Sequence, residues 1–180
     1  MNKFILFFLF FLYNLSYAQD KLSTSKGEIL FEASVPFFEA VEAKNENVHG
    51  VLNTRKSTIE FVVYIKDFHF ERSLMEEHFN KNYLESKKYP KATFKGIIEK
   101  FDLKNSTANP KTHQIRGKIY IHGKSKNIRV NALIKKLPKN GIELISKFSV
   151  NTDDFNIKIP FLISNKISRT VNIKVNCILE

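Results

Sequence analysis

Five histidines, His49, His69, His78, His113 and His122, are the side chains in this sequence best suited to metal or proton chemistry. None forms a His-x-x-x-His pair, and no carboxylate–histidine pair recurs, so no metal site is expected. Acid–base catalysis needs two groups that converge. The acidic doublets Glu76-Glu77 and Asp153-Asp154 are adjacent in sequence, and neighbouring side chains diverge on a helix and on a strand. Glu76 is expected to cap a helix, Glu77 to be solvated, and Asp153-Asp154 to make a turn. There is no Gly-x-Ser-x-Gly elbow and no Gly-rich phosphate loop. Cys177 is the only cysteine, which excludes an intrachain disulfide. Its strand parity points inward, as for a small buried apolar residue rather than a nucleophile. The expectation is a protein that is not an enzyme, with no catalytic residue and no metal.

The chain has 180 residues, 43% hydrophobic and 13% aromatic, which suits one globular domain and excludes global disorder. Residues 1–18 read as a signal peptide. Lys3 is its positive start, Phe4 to Leu12 its apolar run, and Ser16-Tyr17-Ala18 its cleavage site. The run is about half the ~20 residues a membrane span needs. A periplasmic or secreted protein of residues 19–180 is expected. Removing the leader takes one lysine and no acid, and so lowers the net charge from +11 to +10.

The elements that would position any site follow from period-two alternation, the mark of strands buried on one face. Ile29, Phe31, Ala33 and Val35 share a face of 28–35. Val48 and Gly50 alternate weakly through 46–53, and Ile59, Phe61, Val63 and Ile65 through 58–66. Five more strands follow: Ala92, Phe94, Gly96, Ile98; Ile115, Gly117, Ile119, Ile121; Ile128, Val130, Ala132, Ile134; Ile142, Leu144, Phe148, Val150; and Val171, Ile173, Val175, Cys177, Leu179. The opposite faces are polar and basic, as in antiparallel sheets wet on one side. Ser73 to Glu76 fits a capping box. Met75, Phe79 and Tyr83 then recur every fourth residue on one helix stripe, which Tyr89-Pro90 ends. The order is three strands, one helix, five strands. Eight one-sided strands can close into a barrel with no exposed edge. Small inward residues, Ala33, Gly96, Gly117 and Ala132, leave room for an apolar ligand or allow tighter coiling around a solid core. A contiguous apolar void of several hundred Å³ would favour the ligand.

Three stretches carry a resemblance. Leu74-Met75-Glu76-Glu77-His78-Phe79, then Tyr89-Pro90-Lys91-Ala92-Thr93-Phe94-Lys95-Gly96, then Gly117-Lys118-Ile119-Tyr120-Ile121-His122-Gly123 resemble, in order, the central motifs of the YceI-like domain family. The likeness spans about residues 28–179. It implies an all-β, lipocalin-like, up-and-down antiparallel barrel of about eight strands, with one inserted α-helix at about 73–86. It also implies an interior that holds a polyisoprenoid or isoprenoid-quinone-like lipid. The sequence departs from the family in its first strand, Glu28 to Ala33, and in Lys124-Ser125-Lys126 after the His-Gly turn.

The positive charge is spread along outward strand positions, Lys95, Arg116, Lys118, Arg129, Lys135 and Lys147, rather than in one dense run, so no nucleic-acid partner is expected. A basic outer face suits transient contact with an anionic membrane surface. The expected partner is a hydrophobic lipid, and no cofactor other than such a lipid is expected. The candidate barrel wall is Phe31, Phe61, Val63, Phe94, Ile98, Ile119, Ile121, Leu144 and Phe148. Met75, Phe79 and Tyr83 form a candidate helix lid. The alternative is a filled-core envelope or stress protein acting through its surface.

Overall fold

A computed structural model describes residues 20–180, and the expected leader at 1–18 lies outside the described residues. Eight long strands and one two-residue strand make up about half of the described residues. They are β1 (Lys21–Glu32), β2 (Glu42–Asn53), β3 (Thr58–Tyr64), β4 (His69–Phe70), β5 (Lys91–Ile98), β6 (Lys111–Ile121), β7 (Lys124–Lys136), β8 (Ile142–Asn151) and β9 (Thr170–Leu179). Each long strand pairs antiparallel with the next, and β1 pairs with both β2 and β9, so the sheet closes on itself. Closure leaves none of the eight long strands as a free sheet edge. The short β4 adds to β2 through Ala43 and Phe70, beyond the end of β3.

The first strand differs from the expected 28–35. It begins at Lys21, pairs with Leu52 and its neighbours, and leaves the sheet after Glu32. Its first half, Lys21 to Lys26, is polar except for Leu22, so alternation there is nearly invisible. The register with β2 shifts between Thr24 and Gly27 and again between Gly27 and Ile29. Such irregularities bend a strand and tighten its twist, as closure requires.

The helix is also shorter than expected. Helix α1 (Ser73–His78) runs into a single π-helical turn, Phe79–Tyr83. Arg72, not Ser73, is the N-cap, and no side chain caps it. The Glu76 carboxylate instead accepts the backbone N–H of Phe70 at 3.2 Å, which ties the helix to β4. The wide turn is closed by Leu84 N–H donating to the Phe79 carbonyl at 2.9 Å. It places the Phe79 ring among Phe31, Phe68 and Phe70, with centroids 5.3, 5.7 and 5.1 Å away. Each such aromatic pair adds about 0.5–1.5 kcal/mol beyond its buried area. This four-ring cluster fastens the helical segment across one end of the barrel.

The other end is solid. Leu22, Leu52, Ile59, Ile98, Ile134, Ile142 and Leu179 are buried there, with Phe101 packed across them. Here the expected vacancies at small inward residues are filled by the chain itself. A Cβ on Gly96 or Gly117 would lie 2.7 or 2.6 Å from the tip of the Phe94 ring, which lies over both. Gly50 yields to Phe61 in the same manner. These glycines give their volume to neighbouring rings, and the free space lies elsewhere.

Candidate functional site

Beyond the solid end, the barrel holds a cavity of about 400 Å³. It occupies the end covered by α1, the β1–β2 loop and the long β8–β9 loop. The structure brings together Phe31 of β1, Phe61 and Val63 of β3, Phe94 of β5, Ile119 and Ile121 of β6, and Leu144 and Phe148 of β8 on its wall. Met75, Phe79 and Tyr83 line it from the helical segment. Ile98 does not. It shares the inward parity of Phe94 but lies in the packed end.

Several lining residues went unread in the sequence. Phe68 and Phe70 approach from the link before α1, and Ile157, Ile159, Ile163 and Ile167 from the β8–β9 loop. The signal was there: four isoleucines within a short segment between two strands are too apolar for a solvated connection. Alternation does not detect them, because the loop has no regular period.

Among the described residues no Asp, Glu, Lys or Arg lines the cavity. Two of its few polar side chains are occupied with the protein. Ser146 donates to the Asn131 carbonyl and Ser168 to the Thr170 carbonyl, each at 2.8 Å. Burial raises the Tyr83 phenol above its ordinary pKa, so it stays neutral. The Thr152 hydroxyl is buried and has no hydrogen-bond partner among the described residues. An unpaired buried hydroxyl costs about 1–3 kcal/mol. Thr152, like Tyr83 and Thr93 on the same wall, therefore has hydrogen-bonding capacity left for a guest. The wall of such a cavity is almost wholly apolar. What it can do is hold a flexible apolar body, with one polar group near Thr152.

The histidines are dispersed, and no cluster that could hold a metal is found among the described residues. His113 is buried beside Phe101 and contacts the Glu99 carbonyl at 3.3 Å. His78 reaches the cavity edge. His122 departs from the outward position its strand parity predicts. It ends β6 in a two-residue turn with Gly123, both at positive φ (49° and 73°), the geometry of a tight hairpin. That twist turns the ring inward to 9% side-chain exposure. Nδ1 lies 3.1 Å from the Phe155 carbonyl and Nε2 lies 2.8 Å from Glu85. Both ring nitrogens thus face a hydrogen-bond acceptor. Tyr89 stacks edge-on at 4.6 Å, and a Cβ on Gly123 would lie 2.7 Å from its ring. His122 thus joins the link that follows the helical segment, the β6–β7 hairpin and the β8–β9 loop at the border of the cavity.

Comparison with known proteins fits this architecture. The family model described as "YceI-like domain" matches residues 20–179. A polyisoprenoid binding domain from Saccharophagus degradans, implicated in plant cell wall breakdown, shares the fold with a TM-score of 0.77 at 14% identity, over 89% of this chain and 98% of that one. BcnA of Burkholderia cenocepacia aligns with a TM-score of 0.68 at 15% identity, over 85% and 96%. The YCEI protein of Campylobacter jejuni aligns with a TM-score of 0.50 at 20% identity, over 86% and 85%. No curated protein matches the sequence.

Proposed function

The chain belongs to the family of YceI-like domains, and from that premise we propose that it is an exported carrier of a polyisoprenoid or isoprenoid-quinone-like lipid, held by its chain in the barrel cavity. The observation that carries the reading is the uncharged cavity of about 400 Å³, within the roughly 300–1,000 Å³ of small-molecule sites. A void lined by Ile, Val and Phe does not attract water, so an apolar guest is its natural occupant. The Saccharophagus relative, which shares the fold, is a polyisoprenoid binding domain.

The energetics favour carriage over capture. Moving a hydrocarbon from water into the cavity gains about 0.8 kcal/mol per CH₂. A lipid already in a bilayer has that gain in hand, so the cavity competes through shape and contact alone. Escape into water, however, forfeits the full amount for every carbon exposed. A loaded barrel therefore retains its lipid while crossing an aqueous space. No step of this account involves bond chemistry, and the protein acts by binding rather than catalysis. Export rests on the leader-like residues 1–18.

The test is uptake of a fluorescent long-chain prenol from detergent by the purified protein and by Val130→Trp. Val130 lines the cavity, and the larger side chain fills it without adding charge. Uptake by the natural chain and little by a folded Val130→Trp is the expected result. Equal uptake by both would place the lipid outside the barrel and overturn the proposal.

A further inference from the structure

The β8–β9 loop faces two ways. Ile159 and Ile163 line the cavity, whereas Phe161 and Leu162 between them are 91% and 87% exposed. Lys158 and Lys166 flank this apolar tip. The loop's two acids, Asp153 and Asp154, are already engaged by Arg169 and Lys126, so among the described residues neither flanking lysine is neutralised by them. The β1–β2 loop carries a second apolar tip, in which Phe37 is fully exposed and Phe38 half-exposed. Phe37 holds φ at 69°, a left-handed conformation that bulky residues rarely adopt. The two loops are joined at their base by Ser168 N–H donating to the Ala33 carbonyl at 2.8 Å. None of the four exposed side chains lines the cavity, and neither packing nor backbone preference accounts for rings held in water.

We propose that these two loops form a membrane-docking surface. Phe37, Phe38, Phe161 and Leu162 enter the headgroup–acyl boundary of an anionic bilayer, and Lys158 and Lys166 lie against its phosphates. Aromatic rings favour that boundary, and basic side chains are drawn to anionic lipid. Docking there sets the cavity end of the barrel against hydrocarbon, so lipid passes without crossing water. The purpose of the docking rests on the lipid-carrier reading, while its observations are independent of it. At the tips themselves Glu39, beside Phe38, is engaged by Arg72, which leaves Lys158 and Lys166 as the unpaired charges there among the described residues, while the acids Glu32 and Glu42 lie back at the base of the β1–β2 loop.

The experiment is vesicle flotation of the purified protein, expressed from its full sequence. It uses phosphatidylcholine vesicles and vesicles half composed of phosphatidylglycerol. Flotation with the anionic vesicles is expected. It should fall at least about tenfold in the exposed-site variant Phe37→Ser/Phe38→Ser/Phe161→Ser/Leu162→Ser. Lys158→Gln/Lys166→Gln should remove the preference for anionic over neutral vesicles. Uptake of the fluorescent prenol from detergent should be unchanged in both variants, which separates the two readings. No flotation of the natural protein, or equal flotation of the serine variant, overturns docking and leaves the carrier reading intact. Flotation without prenol uptake sinks the carrier reading and leaves docking standing. A dimer that the serine variant abolishes, with no flotation, assigns the surface to a second copy and overturns the proposal.

Discussion

Thr152 and Cys177 are two buried polar groups in an apolar interior, and they behave differently. Thr152 borders the cavity with its hydroxyl unspent. Thr152→Val removes an unsatisfied group, so stability should rise by about 1 kcal/mol. Uptake of a prenol should weaken, while uptake of the matching hydrocarbon without the hydroxyl should not. Thermal melts and paired uptake measurements check both. Cys177 is packed against Gly27 and Val48 on the solid side of the barrel, and burial pushes its thiol up to about 12 from 9.0. The folded state therefore holds the thiol proton more tightly than the unfolded chain. Its contribution is complete below pH 9 and is lost as pH rises from there towards 12. A urea midpoint that falls with pH across this window, and falls less for Cys177→Ala, is the expected outcome. The native thiol should also stay inert to a thiol reagent at pH 8 until the chain is unfolded.

Among the elements, the segment from Phe68 to Tyr83 decides whether the cavity is covered. It rests on Phe79, whose ring contacts three other phenylalanines. Phe79→Ala should cost about 3 kcal/mol and speed lipid release, because the lid loses its anchor. A melting curve and a release rate measure the two effects separately. The strands themselves were legible in the sequence wherever one face is buried, as in β3, β5 and β6. Alternation failed where both faces are polar, in Lys21–Lys26, and where apolar residues sit outside any period, in the β8–β9 loop. The π-helical turn left no trace either, since Met75, Phe79 and Tyr83 keep the spacing of an ordinary helix. The motifs at Phe94, Gly96, Gly117, Tyr89, His122 and Gly123 prove to be contacts within the fold. Phe94 covers the two strand glycines, and Tyr89 covers the hairpin. They identify the architecture more directly than the ligand.

Taken as a whole, the molecule is a closed barrel filled at one end and hollow at the other. Strand parity places side chains inside but does not tell how far along the axis they lie. Phe94 and Ile98 share a face, yet one borders the cavity and the other the solid core. Hollowness likewise depends on which rings fall across which glycines, a long-range matter that composition does not encode. The outer surface carries dispersed ion pairs such as Lys95–Glu60 and Arg116–Glu99, each worth at most about 1 kcal/mol. High salt should accordingly leave the melting temperature nearly unchanged while lowering attraction to anionic lipid. Among the described residues no helix is long and apolar enough to cross a membrane.

The central claim, that the cavity carries an isoprenoid-type lipid, is met most directly by mass spectrometry of an organic extract of the protein purified after expression from its full sequence. A long-chain isoprenoid or quinone in roughly equimolar amount, absent from the extract of a folded Val130→Trp protein, is the result this account predicts. A clean extract from folded protein that also takes up no added prenol would contradict it.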